Sequence, residues 1–127
     1  MEISIEGSFS TPSMNYNSSK KELRIEGRII PEDPDLCFKP LQNWVDVFEN
    51  SSQAEVVITL LLFYYNTSSK KRLVEIFKRL DELNSGSKSV TINWECEEDD
   101  EDCLDDGKDF QRILDLPFNI IEVEEQD

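Results

Sequence analysis

The chain contains no histidine. That removes the commonest general base and the partner on which Ser-His and Cys-His nucleophilic pairs depend. Cysteine is scarce, at Cys37, Cys96 and Cys103. An odd count argues against a disulfide framework, and Cys96 and Cys103 lack the close pairing of a zinc knuckle. Glycine is scarce too, four in all, and no glycine-rich phosphate loop is present. The longest apolar run, residues 56–65, is broken by Thr59 and falls far short of the roughly 20 residues that span a bilayer. Residues 1–9 alternate and no basic residue precedes them, so no secretory signal is expected and the protein is expected in the cytoplasm. Positive charge is also short: 13 Lys and Arg against 28 Asp and Glu give a net charge of −15. Such a surface is repelled by nucleic-acid phosphates and by anionic membranes, and it favours a basic or mixed protein partner.

What remains is enough for one core. The chain has 127 residues, 38% hydrophobic and 32% charged, the size of a single domain expected to cover residues 1–127. Ile3 and Ile5 alternate with polar residues and predict a short first strand, which Thr11-Pro12 interrupts. Asn17-Ser18-Ser19-Lys20 has turn chemistry. Leu23, Ile25, Gly27 and Ile29 then alternate with Arg24, Glu26 and Arg28, a half-buried strand read as the return arm of a hairpin and ended by Pro31 and Pro34. Leu41, Trp44, Val45 and Phe48 keep helical spacing, and Pro40 is tolerable in that helix's first turn. Asn50-Ser51-Ser52 closes it. Residues 55–65 are almost continuously apolar. Their β-branched and aromatic content favours a strand buried on both faces over the competing buried helix. A second helix carries Leu73, Ile76, Phe77, Leu80 and Leu83 and stops at Asn84-Ser85-Gly86. Val90, Ile92 and Trp94 alternate through another strand.

The run Glu97-Glu98-Asp99-Asp100-Glu101-Asp102 reads as a solvated loop, since it lacks the glycine and alternating ligands of an EF-hand. Phe110, Ile113 and Leu114 predict a short third helix ended by Pro117. Residues 118–123 read as a last strand, and the tail Glu124-Glu125-Gln126-Asp127 as solvated. The order β-β-α-β-α-β-α-β predicts an α/β fold, a mixed sheet packed with helices. Trp44 and Trp94 fall on apolar faces and belong to its core.

The turn Asn66-Thr67-Ser68-Ser69 joins the buried strand to the second helix. In open α/β sheets the functional crevice lies at the carboxyl ends of strands. Asn, Thr and Ser are all good N-caps, so a helix cap alone is the plain structural reading. No glutamate stands three residues after any of them, which removes the capping box. A phosphate there would meet the unpaired amides and the positive end of the helix. Lys70, Lys71 and Arg72 follow within reach. Tyr64 and Tyr65 precede the turn and point to opposite faces, which fits either an exposed interface anchor or buried packing.

The segment Tyr64-Tyr65-Asn66-Thr67-Ser68-Ser69-Lys70 resembles the signature of the SiaC family of regulatory phosphoproteins. Other pieces fit in order: Ser10-Thr11-Pro12, residues 27–32 with Pro31-Glu32, Leu41-Gln42-Asn43-Trp44-Val45, residues 90–94, and Asp109-Phe110 followed by Pro117-Phe118. The resemblance covers nearly the whole chain and implies a fold like that of anti-sigma-factor antagonist (STAS, SpoIIAA-like) domains. It implies Thr67 as phosphoacceptor, within a turn shaped by Asn66, Ser68 and Ser69. Tyr65, Lys70 and Lys71 stand where phosphate or partner would be met. The implied partners are a GHKL-type serine/threonine kinase, a metal-dependent PPM-type phosphatase, and a diguanylate cyclase that the unphosphorylated form activates in cyclic di-GMP signalling. The acidic run 97–102 and the strongly negative charge depart from the family pattern and bear on the partner's identity. On this reading the protein is not an enzyme and carries no cofactor or metal. The alternatives are an anti-sigma-factor antagonist, or a small enzyme using Cys37 or carboxylates such as Asp33, Asp35 and Asp46.

Overall fold

The computed structural model describes residues 2–125. Gln126 and Asp127 of the tail expected to be solvated lie outside them; Glu124 and Glu125 are exposed. The elements are β1 (Ser4–Ile5), β2 (Ser13–Asn17), β3 (Glu22–Ile29), α1 (Pro34–Glu49), β4 (Glu55–Tyr65), α2 (Thr67–Asn84), β5 (Ser89–Glu97), α3 (Glu101–Ile113) and β6 (Phe118–Val123). Among the described residues the strands form one six-stranded sheet in the order of the sequence. β1, β2 and β3 pair antiparallel, whereas β3 to β6 pair parallel. Each parallel step advances one place in the same direction through one helix. Crossovers are right-handed, so repeated steps in one direction place all three helices on one face. The aromatic contacts agree: Trp44 of α1 lies against Tyr16 of β2, while Phe77 of α2 and Phe110 of α3 lie against Trp94 of β5.

β4 is buried on both faces, as its continuous apolar run requires, but helices cover only one of them. Ile58, Leu60 and Leu62 face the helices. Thr59 and Leu61 face the other way and are still only 2% and 3% exposed. Their cover is made of side chains from the neighbouring strands. Arg24 of β3 reaches over β4 to Glu95 of β5 at 2.9 Å and also holds Glu26 at 2.9 Å. Glu22 accepts the Thr59 hydroxyl at 2.8 Å. A half-exposed ion pair is worth little as an attraction; here it acts as a lid, because a long arginine stem shields apolar surface while its head stays wet.

Several sequence expectations need correction. The outgoing arm of the hairpin is β2, not the first strand. Between Pro12 and Asn17 only Met14 and Tyr16 mark its alternation, too short a signal to read. Helix α1 starts at Pro34, so Pro40 lies in its interior rather than in its first turn. Asp33 caps α1 by accepting the Leu36 amide at 3.2 Å. The missing Pro40 amide is outweighed by the burial of Phe38, Leu41, Trp44, Val45 and Phe48 on one stripe. Helix α3 is 13 residues long and begins at Glu101, well before the short helix expected around Phe110. It buries Cys103, Gly107 and Phe110; Ile113 is exposed, and Leu114 lies beyond the helix end. Pro117 therefore precedes β6 rather than ending the helix.

Gly107 sets how closely α3 approaches the sheet. A Cβ there would lie 2.7 Å from Trp94 Cδ1 and 3.3 Å from Ile120 Cγ1. Gly107→Ala should therefore destabilise the fold by about 1–3 kcal/mol through overpacking, despite alanine's better helix propensity. Urea unfolding measures this, and an unchanged or higher midpoint would show that the Trp94 contact is not tight.

Candidate functional site

The carboxyl end of β4 is shaped by a register shift. Gly27 pairs with Leu62, but Arg28 pairs with Tyr64, leaving Phe63 as the extra residue. A bulge re-aims the side chains that follow it. Before it the even-numbered residues face the helices; after it Tyr65 does, and Tyr64 is turned outward, 55% exposed. Opposite the bulge, Gly27 adopts φ +130°, and a Cβ there would lie 3.3 Å from Pro12 Cα. Two segments distant in sequence, Ser10-Thr11-Pro12 and residues 27–32, thus meet beside the turn.

Asn66 is the N-cap of α2. Its side-chain oxygen accepts the Ser69 amide at 2.9 Å and the Ser68 hydroxyl at 3.1 Å. The three hydroxyls of the turn are consequently unequal. Ser69 is fully buried, and its Oγ has no partner among the described residues. Ser68 is exposed but tied to the cap. Thr67 is the first residue of α2 and is exposed. No hydrogen bond within the described residues engages its hydroxyl.

Thr67 lines a cavity of about 370 Å³ with Tyr65, Asn66 and Lys70 on one wall and Asp100, Asp102, Asp105 and Asp106 on the other. Lys70 Nζ lies 2.7 Å from Asp106 Oδ1. The Tyr65 hydroxyl donates to the second oxygen of the same carboxylate. Burial, and then the Asp106 carboxylate, push the Tyr65 phenol far above its usual range, so it stays a donor. Lys71 is exposed. Arg72 turns away to Asp35 and Glu75. Of the three cations after the turn, Lys70 is the one that lines the cavity.

The acidic run is not a solvated loop. Glu97 ends β5, Glu98 and Asp99 form the reversal, and Asp100 caps α3 by accepting the Cys103 amide at 3.1 Å. Glu101 and Asp102 occupy the first turn, where the helix dipole favours acids. The reversal also brings Cys96 and Cys103 together as a disulfide, with a Cα separation of 5.8 Å. The odd cysteine count had argued against one; a tight turn between strand and helix supplies the proximity that spacing alone hides. Cys37 remains a thiol, and burial pushes its pKa up, which lowers its nucleophilic fraction. Asp33 caps α1, Asp35 pairs with Arg72, and Asp46 pairs with Arg79. These carboxylates serve structure. Among the described residues no cluster of three or more His, Cys, Asp or Glu side chains is placed to hold a metal ion.

Comparison with known proteins adds three findings. The family model for SiaC family regulatory phosphoproteins matches residues 5–123. An uncharacterized protein of Pseudomonas aeruginosa (strain UCBPP-PA14) is 28% identical over 119 residues, 94% of each chain. Among solved structures, a chain in the crystal structure of the diguanylate cyclase SiaD with its activator SiaC from Pseudomonas aeruginosa superposes with a TM-score of 0.89. It is 27% identical and covers 96% of this chain and 100% of its own. SiaC of Pseudomonas aeruginosa gives a TM-score of 0.86 at 26% identity, over 97% of this chain and 99% of that one. The mixed α/β, STAS-like architecture expected from the sequence is the observed one.

The geometry separates cap from hydroxyl. Asn66→Ala should cost about 1 kcal/mol, the value of an N-cap. Thr67→Ala should stay within about 0.5 kcal/mol, as for an exposed site without partners. Paired urea titrations decide it; a larger loss for Thr67 than for Asn66 would contradict the assignment of the cap.

Proposed function

The chain belongs to the SiaC family of regulatory phosphoproteins, and from that premise we propose that Thr67 is its phosphoacceptor and that the unphosphorylated form binds and activates a diguanylate cyclase. The observation that carries the site is the inequality of the hydroxyls: Thr67 is exposed and unengaged, Ser68 is held by Asn66, and Ser69 is buried. The likeness over nearly full length to the SiaC–SiaD structure supports the cyclase. A GHKL-type kinase adds the phosphate and a PPM-type phosphatase removes it. The family is one of regulatory phosphoproteins, not of enzymes, and the chemistry belongs to the partners.

A phosphate brings roughly −1.5 to −2 charges. The amides opening α2 favour it, but it would stand at a cavity walled by Asp100, Asp102, Asp105 and Asp106. Lys70 is already held by Asp106 and Arg72 by Asp35. The phosphate therefore competes with Asp106 for Lys70, and like charge bears on the first turns of α3. The modification thereby changes a surface wider than its own residue.

Incubated with its cognate kinase and ATP, the protein should gain one phosphate, mapped to Thr67 by mass spectrometry and lost in Thr67→Ala. The unphosphorylated form should raise the activity of its cyclase and the phosphorylated form should not. Stoichiometric phosphate at another residue would overturn the site; equal activation by both forms would overturn the switch.

A further inference from the structure

We propose that Cys96 and Cys103 are a reversible redox modification site beneath the Thr67 cavity, oxidised by a small uncharged peroxide and reduced by a dithiol. Cys96 lies at the end of β5 and is fully buried; Cys103 is the third residue of α3, 3% exposed, and lines the cavity. Their Cα separation of 5.8 Å lies within the range a disulfide needs.

The fold accommodates both oxidation states. The linked Cys103 sulfur lies 3.7 Å from the Glu95 carbonyl oxygen, so a thiol restored at that position would have an acceptor beside it. The start of α3 is held independently by the Asp100 cap and by the Trp94 indole, which donates to the Cys103 carbonyl at 2.9 Å. The surrounding core packs through the rings of Phe77, Trp94 and Phe110, so opening the sulfur link removes no core contact between rings.

The cavity gives access to Cys103. It is bordered by Asp100, Asp102, Asp105 and Asp106. Those carboxylates repel an anionic oxidant such as glutathione disulfide and leave a neutral peroxide unopposed. The Cys103 thiolate attacks one peroxide oxygen and the O–O bond breaks, giving a sulfenic acid and, after protonation, one water. The Cys96 thiol then attacks the Cys103 sulfur, forming the S–S bond and releasing a second water. With hydrogen peroxide, two thiols are oxidised and one peroxide is reduced to two waters. A dithiol reverses the reaction by thiolate attack on the Cys103 sulfur from the cavity and closure of its own disulfide.

The link spans residues 97–102 and pins Asp100 and Asp102 at the cavity. Its consequence for signalling rests on the Thr67 reading: with the link closed, the acidic turn cannot give way to a phosphate. The oxidised protein is then phosphorylated several-fold more slowly than the reduced protein.

The test starts from reduced wild-type protein and Cys37→Ser, treated with hydrogen peroxide or with glutathione disulfide. Both proteins should lose two hydrogens by intact mass, and peptide mapping should join Cys96 to Cys103. Peroxide should act faster, and added salt should narrow the gap. Dithiothreitol in native buffer should restore the thiols, with amide shifts confined to residues 94–106. A link that involves Cys37, no link at all, or a link that resists dithiothreitol until the protein is unfolded would each overturn the proposal. None of these readouts uses the kinase, so failure of the Thr67 assignment leaves them unchanged. Equal phosphorylation rates for the two forms, with Thr67 confirmed as the site, would overturn the coupling alone.

Discussion

β4 is the strand on which the rest of the molecule depends. It pairs parallel with β3 and β5 and carries core residues on the helix side. Its last residues deliver the turn into α2. Because side chains alternate along a strand, one inserted residue reverses every orientation beyond it. Phe63 is that residue. Without it Tyr65 would point away from the helices and could not meet Asp106, and the hydroxyl, the carboxylate and the Lys70 ammonium would not share a cavity. The site is therefore fixed by backbone register first and by charge second.

The parts of the fold legible in the sequence were those with long periodic runs. Leu73, Ile76, Phe77 and Leu80 gave α2, and the apolar span gave β4. What escaped were features set by single residues or by tertiary contact. β2 has two inward side chains. The start of α1 was masked because Pro40 looked like a first-turn residue, although Asp33 followed by Pro34 is itself a cap followed by a favoured first position. The length of α3 was masked because its first turns are acidic and its inward stripe is Cys103, Gly107 and Phe110, only one of them large. The Asn66-Thr67-Ser68-Ser69 turn was legible as a helix cap, but the rank of its hydroxyls was not. Burial of Ser69 depends on how α2 docks, and residue type does not state it. The opposing wall of aspartates was likewise hidden, since only the fold brings residues 100–106 to residues 65–70.

The negative charge of the chain is arranged, not merely spread. Arg24, Arg72 and Arg79 each hold two carboxylates, so a few cations neutralise acids locally. The cavity beside Thr67 is different. Lys70 stands there with four aspartates, and the acids of α3's first turn gain from the helix dipole what they lose to one another. A further anion at this cavity would meet like charge on the wall formed by α3.

The monotonic order of the sheet has a consequence for how the molecule comes into being. Every strand pairs with the one made just before it, and no strand waits for a later one to be slotted between two already joined. Contacts between neighbouring units are thus close in sequence, which shortens the loops that must close. As the chain emerges from the ribosome, the β2–β3 hairpin offers an edge to β4, which offers one to β5, which offers one to β6. Assembly in this direction is vectorial. The wall of the cavity formed by α3 is among the last pieces to arrive, so the turn bearing Thr67 is laid down before the acids that face it.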